Sequence, residues 1–135
     1  MKQTITVLCL IACAATFTAC STVNVAGKGN RTYEVKQHIS MTYYTVDVPQ
    51  DLESVYKASI KGLKDLEVDP TEQKADKLTG LVVGKLADGN PVEVKLGVLA
   101  PSGTKIQISV GKMTDKDKAV AIFTAIENHL KEPGK

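Results

Sequence analysis

An acidic run in the middle of the chain is the first candidate for chemistry, because clustered carboxylates can bind a calcium ion. The run comprises Asp65, Glu67, Asp69 and Glu72. A calcium loop of the EF-hand type needs glycine at its sixth position for a sharp turn, and Pro70 occupies that position. The sequence therefore favours a solvated helix end followed by an edge strand over a calcium site.

The sequence contains few of the residues and motifs that catalysis by a metal ion or by an activated nucleophile requires. His38 and His129 lie far apart, and neither belongs to a His-Glu-x-x-His motif. Asp115 and Asp117 are two positions apart at a predicted helix start, where they do not face one another. The chain also lacks the Gly-x-Ser-x-Gly motif of hydrolases. We therefore expect no enzymatic activity, no bound metal and no cofactor.

All three cysteines lie near the N terminus, where residues 2–20 have the pattern of a signal peptide. After Lys2, the predominantly apolar run of residues 4–19 carries no charge. This run has 16 residues, which is shorter than the roughly 20 that a permanent membrane helix needs. The segment ends in Phe17-Thr18-Ala19-Cys20 and is followed by Ser21, which resembles the bacterial lipobox. The resemblance implies that residues 1–19 are removed and that Cys20 is the lipid attachment site. Ordinary signal cleavage nearby is the alternative.

Lipidation of Cys20 would fix where the protein resides. By the sorting rule of bacterial lipoproteins, Ser21 after the cysteine implies the outer membrane, facing the periplasm or at the cell surface. A multiply acylated cysteine anchors a protein stably to the bilayer. Because Cys9 and Cys13 would leave with the signal peptide, the mature chain would have no thiol left for a disulfide.

Length and composition predict one ordinary globular domain after this N-terminal segment. The chain has 135 residues, 43% of them hydrophobic and 24% charged, with a net charge of +2. Arg31 is its only arginine, so the guanidinium groups that read phosphates are nearly absent and we expect no nucleic-acid partner. We predict a lipidated cysteine and tether over residues 20–36, with a reach of at most roughly 50 Å, and the domain over 37–135. Thr32–Val35 could alternatively form an edge strand.

The sequence of the domain predicts five strands and two amphipathic helices. The predicted strands are Ile39–Val48, Glu67–Gln73, Gly80–Ala87, Pro91–Leu99 and Thr104–Gly111. Apolar residues at helical spacing from Leu52 to Leu66 predict the first helix, and Thr114 is the expected N-cap of the second. Asp88-Gly89-Asn90 is a hairpin signal. The order β-α-β-β-β-β-α predicts an α+β fold, an antiparallel sheet of about five strands with both helices on one face.

Two stretches of this pattern carry a family resemblance. Asp51–Ala58 (DLESVYKA) follows Val48-Pro49, and Lys105–Gly111 (KIQISVG) precedes a second helix. Together with the lipobox, they resemble a family of small bacterial outer-membrane lipoproteins of unknown function, over residues 40–131. A virulence-associated surface lipoprotein of Francisella has a similar size and pattern. The resemblance implies a helix-grip-like fold with an apolar cavity between the sheet and the C-terminal helix.

A set of large apolar side chains in the domain could serve either the core or a ligand. The set comprises Met41, Tyr43, Tyr44, Tyr56, Met113 and Phe123. Core packing is one interpretation. The other is a lining for an apolar ligand, because tyrosine offers a rigid amphipathic surface and methionine an adaptable one. We thus expect either a module that binds an apolar ligand or peptide, or an outer-membrane interaction protein that uses an edge strand or a sheet face on an envelope partner.

Overall fold

The computed structural model describes residues 22–27, 31–37 and 42–131. The signal peptide, Cys20 and Met41 lie outside these residues, so the predictions about them stay predictions. The elements are β1 (Thr22–Ala26), β2 (Thr32–Gln37), β3 (Tyr44–Val48), α1 (Leu52–Asp65), β4 (Pro70–Ala75), β5 (Thr79–Lys85), β6 (Pro91–Val98), β7 (Thr104–Val110) and α2 (Lys116–His129). Among the described residues, no helix is long and apolar enough to cross a membrane.

All seven strands form one open antiparallel sheet in the order β1-β2-β3-β7-β6-β5-β4. Residues that are partners on neighbouring strands form rows that cross the sheet. In one row Val82, Val94, Ile108 and Tyr44 are successive partners, and all four are buried. Their strand neighbours point to the opposite face, as the alternation of a pleated sheet requires. The buried face packs against α1 and α2, which confirms the predicted α+β class.

The sheet has seven strands rather than the predicted five, because β1 and β2 lie in the segment for which we predicted a tether. Tyr33 and Val35 alternate with exposed Thr32 and Glu34, and both contribute to the core. This alternation spans too few residues to stand out from a segment rich in small and polar side chains. The strand considered at Thr32–Val35 does exist, but it is an inner strand, since β2 pairs with both β1 and β3.

Both helices begin at an aspartate whose side chain accepts hydrogen bonds from the first turn. The Ser54 N–H donates to Asp51 at 2.9 Å, and its hydroxyl donates at 2.7 Å. These bonds hold the pKa of Asp51 below its usual value, the hydroxyl contributing most. In α2 the N-cap is Asp115 and not the predicted Thr114. Thr114 is buried instead, where its hydroxyl donates to the Thr42 carbonyl oxygen and accepts from the Val110 N–H.

The turn between β5 and β6 is held against α2. Gly89 adopts the positive φ of 82° that the Asp-Gly-Asn signal anticipated. The Lys118 ammonium donates to the Asp88 carboxylate at 2.7 Å, and the Asn90 N–H donates to the same side chain. The bond from Lys118 is the main reason that the pKa of Asp88 falls to about 2. The turn between β5 and β6 is therefore linked to the first turn of α2.

The two helices approach each other closely at Gly62, which is buried in α1. A methyl group at this position would lie 2.7 Å from the backbone carbonyl carbon of Ala125 and 2.7 Å from the nitrogen of Ile126. Because backbone atoms cannot move aside as a flexible side chain can, only glycine fits here. Nearby, the His129 Nε2 atom contacts the Asp65 carboxylate at 2.5 Å, so the last turns of the two helices also meet.

We predict that Gly62→Ala destabilises the fold, although alanine is the better helix former. Overpacking should outweigh the gain in helix propensity and lower the free energy of unfolding by about 1–3 kcal/mol, as measured by urea denaturation. Gly97→Ala is the matched control, because a methyl group there meets nothing within 4 Å. Equal or greater stability of Gly62→Ala would contradict the close approach of the helices.

Candidate functional site

The structure separates the apolar residues that we predicted as a ligand lining. Phe123 is fully buried, with its ring centroid 5.2 Å from that of Tyr33 in an edge-to-face contact. Tyr44 is 2% exposed and lies on the central strands. Burial, followed by the negative charges of Asp115 and Asp117, raises its pKa. Both side chains belong to the core that joins the sheet to α2.

The remaining predicted residues lie at different places on the domain. Met113 is 70% exposed and follows the C-terminal end of β7. Tyr43 is half-buried just before β3. Tyr56, on α1, is also half-buried and contributes to a surface cleft. Of the members that the structure describes, only Tyr56 is therefore part of this cleft, and whether the others contact a ligand stays a prediction.

This cleft, which we call the Tyr56 cleft, has a volume of about 680 Å³ and opens at one end of the sheet. Three chain segments meet at this end: the start of α1, the β4–β5 turn and the β6–β7 loop. The cleft residues are Asp51, Leu52, Glu53, Tyr56, Ala75, Asp76, Lys77, Val98, Ser102 and Gly103. The registers Thr79 with Gly97 and Val98 with Thr104 bring the two strand connections to the same end.

The floor of the Tyr56 cleft is apolar and its margin carries exposed hydrophobic side chains. Gly80 lies beneath the tyrosine ring, where an added methyl group would be 3.3 Å from Tyr56 Cδ2. Leu78 is 68% exposed and Val98 is 50% exposed. The Val98 N–H donates to the Leu78 carbonyl at 3.1 Å, which holds the two chain segments together. Since water contacts both side chains in the isolated domain, covering them would be favourable.

Charges around the cleft are mainly negative. Asp51, Glu53 and Asp76 contribute carboxylates, whereas Lys77 contributes one ammonium group. The Asp76 carboxylate accepts hydrogen bonds from the Leu78 and Thr79 N–H groups at 2.7 and 2.8 Å. These bonds lower the pKa of Asp76, because they stabilise its charged form. Lys57 pairs with Glu53 at 2.5 Å on the solvent-exposed surface of α1 and offsets part of the charge.

The polar side chains of the Tyr56 cleft include hydroxyl groups, carboxylates and one ammonium group. Ser102 supplies a hydroxyl, but no histidine and no cysteine is among the cleft residues. Its aspartates are engaged in helix capping and turn hydrogen bonds. Across residues 22–27, 31–37 and 42–131, no group of three or more His, Cys, Asp or Glu side chains could hold a metal ion.

The acidic run does not form a site. Asp65 contacts His129, Glu67 adopts a positive φ of 58° at the exit from α1, and Glu72 pairs with Lys74 at 2.6 Å. The predicted solvated helix end and edge strand are both present, since β4 is an edge of the sheet.

Sequence reasoning missed two exposed apolar residues, Val98 in the cleft and Leu78, whose carbonyl accepts a hydrogen bond from the Val98 N–H. Val98 continues an alternating strand and reads as core, yet it is exposed because it is the last residue of β6. Leu78 is a single apolar residue within the polar stretch Asp76–Thr79. An isolated leucine in a polar turn was the only signal available, and it does not indicate what lies next to it.

An open seven-stranded antiparallel sheet with two helices against one face, and a cleft at one end, defines an α+β domain. The chain belongs to the family described as "Protein of unknown function (DUF3568)", which matches residues 2–129. No curated protein matches the sequence.

We predict that substitutions of the candidate residues differ clearly in their effect on the stability of the fold. Phe123→Ala should cost about 3–5 kcal/mol in the free energy of unfolding, because it leaves a cavity in the core. Met113→Ala should stay within about 0.5 kcal/mol, because an exposed side chain loses few contacts. Urea denaturation measures both. A small effect of Phe123→Ala would show that the residue lines adaptable space instead of packed core.

Proposed function

We propose that this protein is a lipid-anchored bacterial envelope lipoprotein that binds, without catalysis, an apolar peptide segment in the Tyr56 cleft. The observation that carries the binding proposal is the apolar cleft of about 680 Å³ with Leu78 and Val98 exposed at its margin. The site proposed from the sequence lay between the sheet and the helices, as in a helix-grip-like fold. The open end of the sheet offers more accessible apolar surface, because Tyr44 and Phe123 are buried.

The charges favour a peptide with basic flanks over an anionic lipid. A fatty acid would bring its carboxylate close to Asp51, Glu53 and Asp76, with only Lys77 to attract it inside the cleft. An extended peptide with a central apolar side chain and flanking lysines would place opposite charges together. Its apolar side chain would cover Leu78 and Val98. We therefore propose this peptide chemistry as the ligand class.

The proposed anchor would hold the domain close to the membrane. β1 begins at Thr22, two residues after Cys20. Two residues span at most about 7 Å, so the tether would be far shorter than the roughly 50 Å that an extended segment to residue 36 allows. With Ser21 after the lipidated residue, we propose the outer membrane as the location. The first strand would then lie beside the lipid surface.

A second candidate function is an envelope interaction protein without a small ligand. Both edges of the sheet, β1 and β4, have one unpaired side. Such an edge can accept a strand from another protein through main-chain hydrogen bonds. The cleft and the edges are separate features, and the binding experiment distinguishes between them.

We predict that the chain binds a peptide of sequence Lys-Leu-Val-Leu-Lys more tightly than its counterpart with glutamate flanks. Fluorescence anisotropy of the labelled peptides should be measured against the full chain in zwitterionic lipid nanodiscs, with empty nanodiscs as the blank. Leu78→Ser and Val98→Ser should each weaken binding of the basic peptide about tenfold, since exposed anchors contribute a large share of binding energy.

Met113→Ser is the matched control for these variants. Its side chain is as exposed as that of Leu78 but lies near the opposite end of the sheet, beyond Val110. It should leave peptide affinity unchanged. Equal affinity for both peptides, or equal loss in all three variants, would remove the cleft from consideration and favour the interaction-protein alternative.

We predict that Cys20→Ser abolishes lipidation. Cells that express the full chain and are fed radiolabelled palmitate should label the parent protein but not this variant, because the lipid is attached through the thiol. Cys13→Ser should label normally, since Cys13 lies within the predicted signal peptide. Label that persists in Cys20→Ser, or an unlabelled parent, would contradict the proposed anchor.

A further inference from the structure

The β4 edge of the sheet carries a pattern that is complementary to itself. The strand Pro70–Ala75 reads Pro-Thr-Glu-Gln-Lys-Ala, with Glu72 and Lys74 on either side of Gln73. One side of this strand pairs with β5, and the outer side has no strand partner in the sheet. We propose that two copies of this chain associate by antiparallel pairing of their β4 strands about Gln73. This contact does not depend on the proposed cleft function.

The proposed register places opposite charges across the interface twice. Antiparallel pairing centred on Gln73 sets Glu72 of each copy opposite Lys74 of the other. Both side chains lie on the sheet face away from the helices, because their partners on β5 are Val83 and Leu81 and not the buried Val82. Opposite charges directly across two antiparallel strands stabilise the pair, whereas like charges destabilise it.

The charges are already arranged for this contact within one chain. Lys74 and Glu72 form an ion pair at 2.6 Å, and the Lys74 side chain is 74% exposed and that of Glu72 43% exposed. Two copies would combine these pairs into a group of four charges of alternating sign. A two-fold axis through Gln73 makes the contact closed, so pairing stops at a dimer.

The backbone of β4 also presents hydrogen-bonding groups at the right position. The Asp76 N–H donates to the Thr79 carbonyl at 2.9 Å, so Asp76 is directed toward β5. Because the direction alternates along a strand, the groups of Lys74 also point toward β5, and those of Gln73 and Ala75 point away from it. Gln73 of one copy can therefore exchange both backbone hydrogen bonds with Gln73 of the other.

The opposite edge of the sheet lacks such selectivity. β1 has the sequence Thr-Val-Asn-Val-Ala and carries no charged side chain. Nothing in it would prefer its own copy to another strand. β4 has charges that favour one register with one partner, and charged residues on an edge disfavour unselective strand addition.

Crosslinking through the two-fold position tests the contact in the full chain. Gln73→Cys should form an intermolecular disulfide when lysates that retain their membranes are oxidised with copper phenanthroline. Facing residues of a hydrogen-bonded antiparallel pair have Cα atoms about 5.5 Å apart, within the range of a disulfide. Asn24→Cys, at the centre of exposed β1, is the matched control, and the parent chain reports the background from Cys9, Cys13 and Cys20.

Charge variants in the Gln73→Cys background decide whether the proposed register is correct. Glu72→Lys alone, or Lys74→Glu alone, places like charges opposite each other and should reduce the crosslinked fraction about tenfold. Mixing the two single variants, or combining both changes in one chain, restores opposite charges and should restore crosslinking. Restoration in the mixture would also show that each single variant is folded.

Three results would overturn the proposal. The first is a crosslinked fraction of Gln73→Cys no higher than that of Asn24→Cys or the parent chain. The second is crosslinking that does not respond to charge reversal. The third is a single charge variant that fails to recover on mixing, which would show that the reversed residue acts on the fold and not on a facing copy.

Discussion

The burial of one face of the antiparallel sheet is the constraint on which the rest of the structure depends. Alternate residues of the central strands point toward the helices and are buried, as Val94 and Ile108 illustrate. Within the described part of the chain, two helices cover seven strands, so they must lie close to each other and to the sheet. Gly62 permits this approach, because it removes the side chain that would otherwise contact the backbone of α2. The hydrophobic effect supplies the driving force, and close packing sets the distance.

The two proposed interaction sites arise where this covering ends. Beyond the start of α1, Leu78 and Val98 remain exposed beside Tyr56, and a cleft forms between strand connections that meet at one end of the sheet. At the edge, β4 has no further strand to pair with. In the cleft, acidic side chains surround an apolar floor, whereas β4 carries balanced charges. The first pattern suits a basic apolar peptide, and the second suits another copy of the same strand.

Much of the domain could be predicted from the sequence because local patterns determine it. The alternation of Ile106 and Ile108 with polar residues identified a strand with one buried face, and Asp88-Gly89-Asn90 identified the hairpin turn between β5 and β6. β1 was not recognised as a strand, and β2 was considered only as an alternative edge strand at Thr32–Val35, since each is short and gains its burial from pairing with a neighbour. For a related reason, the sequence could not assign the residues of the candidate lining to the core or to a cleft. A tyrosine has the same sequence signature whether its ring is in the core, as with Tyr44, or beside a cleft, as with Tyr56.

The sequence by itself determined the α+β class and the two amphipathic helices, because these depend on residue types and on spacing along one segment. It is also the sole basis for the proposed lipid on Cys20. The tertiary structure decided the strand order, which apolar residues form the core, and the juxtaposition of Leu78 with Val98. These properties depend on which distant segments become neighbours. Pairing of strands far apart in the chain follows from the combined burial of the whole sheet face, and no single segment encodes it.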